Sequence, residues 1–131
     1  MAVKQVAAAI ARQGDRVLVT RRGPGEHLAG FWEFPGGKLE DGETPQSCIV
    51  RELEEELGVQ SVAHNVVTES IHEYAGGAIN LIAVAVELAD TTFNLTVHDE
   101  AMFVTPNELL TMQLAPADIP IARELVRLGS E

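Results

Sequence analysis

An α/β fold with a mixed sheet is predicted by three features of the 131-residue chain. Short β-branched or small-apolar runs are separated by turn residues, Thr-Pro pairs mark two helix starts, and several links are only hairpin-length. The length suits one domain over residues 1–131, and 46% hydrophobic residues suffice for a core.

Val6–Arg12 and Arg16–Arg22 flank Gln13-Gly14-Asp15, whose Gly-Asp pair supplies hairpin chemistry. Gly23-Pro24-Gly25 opens a loop, Phe31–Phe34 reads as a short strand, and Pro35-Gly36-Gly37 as a turn. Thr44 as N-cap, Pro45 at the first helical position and Gly58 past the end bracket a helix. Val62–Tyr74 is strand-like with irregular alternation, Asn80–Leu88 is a clearer strand, and Ala101–Val104 is another short one. Thr105-Pro106 starts a helix over Asn107–Met112, and Pro120–Leu128 carries Ile121, Leu125 and Leu128 at helical spacing before Gly129.

The net charge is −11, which argues against binding to duplex nucleic acid, since that needs a basic face. No apolar run reaches the ~20 residues that span a bilayer, so no membrane partner is expected. The start, Met1-Ala2-Val3-Lys4-Gln5, lacks a signal-peptide apolar region, and a cytoplasmic location follows as the expectation. A lone Cys48 excludes an intrachain disulfide and a cysteine-rich zinc site, and reads as a small packing residue.

Over half of the charge lies between Glu33 and Glu56, where eight acids meet two bases. Within the first helix, Ile49, Val50, Leu53 and Leu57 form an apolar stripe. Glu52, Glu55 and Glu56 stand at i, i+3 and i+4 on another face. Three carboxylates so close repel one another in water, and become favourable around a hard divalent cation with oxygen ligands, magnesium by default. Arg51, four residues before Glu55, can pair with Glu54, Glu55 or a preceding loop acid.

Gly37-Lys-Leu-Glu-Asp-Gly-Glu43, Thr44 to Val50, and Arg51-Glu-Leu-Glu-Glu-Glu-Leu-Gly-Val59 together resemble the Nudix box without a departure over 23 residues. Thr20-Arg21-Arg22, Trp32 to Gly37 and Leu114-Ala-Pro-Ala-Asp-Ile-Pro120 extend the resemblance to the MutT branch, the tail looking nearest to its CTP pyrophosphohydrolases. The resemblance implies an α/β/α sandwich with the box as loop–helix–loop. It implies a magnesium-dependent pyrophosphohydrolase, with manganese as the alternative metal, that splits nucleoside triphosphates into NMP and pyrophosphate. CTP, dCTP or 5-modified cytidine nucleotides are the expected substrates, 8-oxo-dGTP the alternative, and an inactive nucleotide-sensing module the rival from another class. A monomer is expected, with a homodimer as the other option.

Residue by residue, the resemblance assigns Glu52, Glu55 and Glu56 to metal and catalysis, and Gly36 or Gly37 to a backbone contact with metal. It makes Arg51 and Glu43 a structural pair, and Glu100 a further acid that holds metal or accepts the water proton, with Asp99 its substitute. Arg22, His27 and Phe34 match substrate-contacting positions. Asp118 falls where the branch reads the base edge, beside a competing role as N-cap of the last helix. An ionised Asp there suits the amine of cytosine and repels guanine O6, whereas a protonated one serves 8-oxoguanine.

Overall fold

The strand Val3–Gln13, β1, belongs to both halves of the sheet. The computed structural model describes residues 2–129. β1 runs parallel to β6 (Gly77–Leu88) from Val3↔Ala78 to Ala11↔Val86, and antiparallel to the short β4 (Gly36–Lys38) on its other edge. β5 (Ser61–Tyr74) closes that half beside β6. The other half is centred on β2 (Arg16–Arg22), flanked by β3 (Trp32–Glu33) and β7 (His98–Val104). Only Arg12↔Val17 and Gln13↔Arg16 join β1 to β2, through a two-residue turn whose Gly14 has φ 63°. Parallel and antiparallel pairs coexist, so the sheet is mixed, as expected.

Alternation along the strands places a core on each face. Ala7, Ala9 and Ala11 of β1, Leu18 of β2 and Ile82 and Val84 of β6 pack against helix α1 (Pro45–Leu57). Ala8, Ile10, Val17, Val19, Leu81 and Ala83 face the opposite way, onto α2 (Pro106–Leu109) and α3 (Ile119–Gly129). Helices thus cover both faces, giving the α/β/α sandwich. Each fully buried leucine, such as Leu53 or Leu125, contributes roughly 1.5–3 kcal/mol.

α1 forms where the caps dictate. Thr44 accepts from the Ser47 N–H and the Ser47 side chain answers at Thr44, while Gly58 ends the helix at φ 65°. Its buried stripe is Cys48, Ile49, Leu53 and Leu57, so Cys48 takes the place expected for Val50, which is only half-buried.

Several boundaries differ from expectation. Gly36–Lys38 is a strand and not a turn, because β1 offers it an open edge. β5 is one continuous strand whose register shifts on both sides of Val66, which explains the broken alternation in the sequence. β7 starts at His98, and the second helix stops at Leu109 before a turn. Among the described residues no helix is long and apolar enough to cross a membrane.

Candidate active site

α1 and the β4 loop set the acidic face. Arg51 sits in a carboxylate cage: Nε donates to Glu43 Oε2 at 2.8 Å and Nη2 to Oε1 at 2.9 Å, while Nη1 reaches Glu52 at 2.8 Å and Glu55 at 3.2 Å. Nη2 also donates to the Lys38 carbonyl, tying helix to strand. The two-pronged bond from Arg51, helped by the Glu40 backbone, lowers the Glu43 carboxyl to about 2. Arg51 and Glu43 therefore form the pair expected of them.

The two glycines differ in what they make room for. A Cβ on Gly36 would lie 2.0 Å from the Ala7 carbonyl oxygen, and one on Gly37 would lie 2.4 Å from the Glu52 carboxyl carbon. Gly36→Ala strikes backbone and should destabilise the fold, whereas Gly37→Ala should fold, push Glu52 aside and cut activity. Thermal melts and turnover of the two variants separate these outcomes; equal Tm values would refute the distinction.

Glu56 and Glu52 are half-buried, whereas Glu55 is exposed. Burial, then the charges of Glu52 and Glu33, push the Glu56 carboxyl up to about 8, partly offset by the Gly36 backbone and Arg22. Its Oε1 is buried without any hydrogen-bond partner. Such an orphaned oxygen within an all-carboxylate donor set fits a hard cation, and Glu52, Glu55 and Glu56 are the residues that would hold it. Among the described residues, however, no three ligating groups already converge on one point, since Arg51 holds Glu52 and Glu55 toward itself.

The structure does not bring Glu100 to this cluster. It lies opposite Arg21 in the β2–β7 pair and forms an ion pair with it at 3.7 Å. Leu18 faces α1 and Val19 faces away, so Arg21 and Glu100 fall on the side remote from α1. Asp99 follows them, accepting from Arg21 Nε at 2.7 Å, a bond that holds its carboxyl below the ordinary range. Period-2 alternation, invisible in the Asp-Glu pair without the register, decides this.

Arg22 faces α1 instead. Its Nη1 bonds both Glu33 oxygens at 3.1 Å, its Nε donates to the His27 carbonyl, and its charge favours the ionised forms of both Glu56 and Asp118. Glu33 also contacts His98 Nε2 at 2.9 Å. Glu33 and His98 were not singled out by the sequence; only the pairing of β2 with both β3 and β7 unites them with Arg22.

His27 lines a cleft of about 620 Å³ with Lys4, Leu28, His72, Tyr74 and the 115–117 segment. Leu28 adopts φ 58°, a conformation rare for leucine, at this wall. Asp118 follows the wall directly, and its Oδ2 accepts from the Phe34 N–H at 2.9 Å. Its carboxylate thus serves a residue on another element, not the N-terminus of α3. Burial, then the charge of Glu33, push it up to about 8, and so favour its neutral form. Phe34 is 3% exposed and packs in the α3-side core, with its backbone N–H committed to Asp118. Cys48 is buried, its thiol raised to about 11 chiefly by desolvation, as suits a packing residue.

The chain as a whole resembles known proteins. The NUDIX domain family matches residues 1–127. The CTP pyrophosphohydrolase of Escherichia coli is 35% identical over 98% of this chain and 95% of its own length. A Mycobacterium tuberculosis protein named putative 8-oxo-dGTP diphosphatase 2 is 38% identical over 93% of this chain and 86% of its own. The solution structure of the E. coli ORF135 protein superposes with a TM-score of 0.85 at 34% identity, covering 98% and 92% of the two chains. The residues of the box, the sheet that carries them and these relatives agree: the chain is a Nudix hydrolase, a member of the NUDIX domain family.

Proposed function

We propose that this Nudix nucleotide pyrophosphohydrolase acts on nucleoside triphosphates with magnesium, releasing NMP and pyrophosphate, and that cytidine nucleotides and 8-oxo-dGTP are its principal candidates. The observation that carries the reading is the position of Arg22, whose Nε donates to the carbonyl of His27 at the cleft and whose charge favours the ionised forms of both Glu56 and Asp118. A base in the cleft thereby has its phosphates on the acidic face of α1.

Glu52, Glu55 and Glu56 would hold magnesium, which when bound would supply neutralisation of the triphosphate and acidification of a water. Arg22, anchored at Glu33, lies where it can meet phosphate oxygens, and a carboxylate of the box takes the water proton. Neutral Asp118 offers an O–H donor beside an acceptor oxygen. That pair matches N3 and the amine of cytosine, and equally O6 and N7–H of 8-oxoguanine. The names of the E. coli and M. tuberculosis relatives support the same two substrates. A screen of canonical and modified nucleotides that separates pyrophosphate from phosphate release tests the reading; phosphate as the sole product would overturn it.

Metal binding should also be visible without substrate. Magnesium binds the folded acid cluster and not the unfolded chain, so millimolar magnesium should raise Tm, and Glu52→Gln should blunt the rise. A midpoint indifferent to magnesium in the wild type would remove the trio from metal binding.

A further inference from the structure

Glu33 stands out because three separate elements converge on it. It lies in β3 opposite Thr20 of β2, on the face that Arg22 and α1 share. Its carboxylate takes Arg22 Nη1 on both oxygens and His98 Nε2 on one, and its side chain is only 16% exposed. The His98 side chain is fully buried, and its Nδ1 finds no hydrogen-bond partner. A burial that leaves one ring nitrogen unsatisfied is poor design for stability alone.

The register of β7 explains how His98 gets there. Arg21 pairs with Glu100 and Arg22 with His98, so Asp99 is an extra residue in a bulge. The bulge sends Asp99 and Glu100 together to Arg21 and turns His98 inward across from Arg22. The carboxylate beside the box acids on this face is therefore Glu33, in the place where the sequence suggested Glu100.

We propose that Glu33, braced by His98, is a positioning residue that holds Arg22 in line with the substrate phosphates, between Glu56 and Asp118. The proposal rests on the reading of Arg22 as a phosphate contact. Arg22 has one anchor at Nε, the His27 carbonyl, and a second at Nη1, Glu33. Two anchors on a planar guanidinium fix its plane, leaving Nη2 with a 3.6 Å ion pair to the more exposed Glu26. An incoming phosphate can displace that weaker contact while the plane stays set.

Glu33→Gln keeps the shape and loses the charge-assisted fork. It should raise KM for the triphosphate ~10-fold, with kcat changed less than ~3-fold. Simple removal of a negative charge near a polyanion would lower KM instead, and that result overturns the proposal. In an Arg22→Ala background Glu33→Gln should have no further effect; an effect that persists there also overturns it. His98→Leu and His98→Asn, which cannot reach Glu33, should reproduce the KM rise, while His98→Gln, whose amide can, should restore it.

An activity-independent measurement guards the outcome. The Arg22 Nε–H resonance, read by NMR in the ligand-free protein, should shift in Glu33→Gln and His98→Asn and stay in place in His98→Gln. An unmoved resonance in all three overturns the positioning role. A wild type that releases pyrophosphate from no nucleotide would overturn the functional reading, and the resonance would still decide the fate of the Glu33 brace.

Discussion

Glu56→Gln is expected to lower turnover by at least ~100-fold while making the metal-free protein more stable at alkaline pH. The variant removes the ionisable oxygen pair of the box carboxylate that burial shifts upward, whose Oε1 has no hydrogen-bond partner among the described residues. Burial keeps the folded-state carboxyl protonated up to about 8, against an ordinary value of 4.5. Between those values the folded state binds more protons than the unfolded one, so wild-type stability falls as pH rises through that window. The penalty is on the order of a few kcal/mol once the pH exceeds the folded value. Glutamine escapes it, and Asp118, shifted in the same direction, keeps part of the slope in the variant. Tm measured in chelator near pH 5 and pH 9 checks the claim; parallel curves for variant and wild type would refute it. Metal binding reverses the sign, because the cation favours the charged carboxylate and expels its proton.

Asp118→Ala is expected to be the next most damaging change. It leaves the buried Phe34 N–H without an acceptor, a cost of about 1–3 kcal/mol, and strips the base contact, cutting kcat/KM for the preferred nucleotide ~10- to 100-fold. Asp118→Asn should be far milder near pH 7, since its carbonyl accepts from Phe34 and its amide donates where the neutral acid does. The two differ in pH response. As wild-type Asp118 ionises above about 8, it loses its donor and repels O6 of 8-oxoguanine, so kcat/KM for 8-oxo-dGTP should fall relative to CTP. The asparagine variant should hold a constant ratio. A wild-type ratio that ignores pH, with Asp118→Ala harmless, would move base reading to Lys4, His72 or Tyr74.

The box was legible because its chemistry is local. Caps, apolar stripe and carboxylate spacing all lie within one helix, and Arg51 needs only the adjoining loop to find Glu43. Whatever depends on strand pairing was less legible. Glu33, Arg22 and His98 meet only because β2 has β3 on one edge and β7 on the other, and the bulge at Asp99 sets which side of β7 each residue faces. The same register removed Glu100 from the acidic face. The setting of Asp118 was not legible, because nothing in Ala-Asp-Ile reveals that the Phe34 N–H, 84 residues away, donates to its buried carboxyl. The cleft residues His72 and Tyr74 carry no signal of their own until β5 is seen to reach the 115–117 wall.

The double membership of β1 has a consequence for how the molecule comes into being. Its parallel ladder with β6 joins residues about as distant as Gln5 and Asn80, whose side chains also bond across 75 positions of chain. Closing so long a loop costs entropy before any contact rewards it, so this ladder is a slow, late step compared with the β1–β2 and β5–β6 hairpins. Gly36 and Gly37 are held by the same strand, opposite Ala8 and Ala7. That β4 pairing spans only about 30 positions of chain, so the glycine edge facing Glu52 is expected to form before the β1–β6 ladder completes the sheet around it.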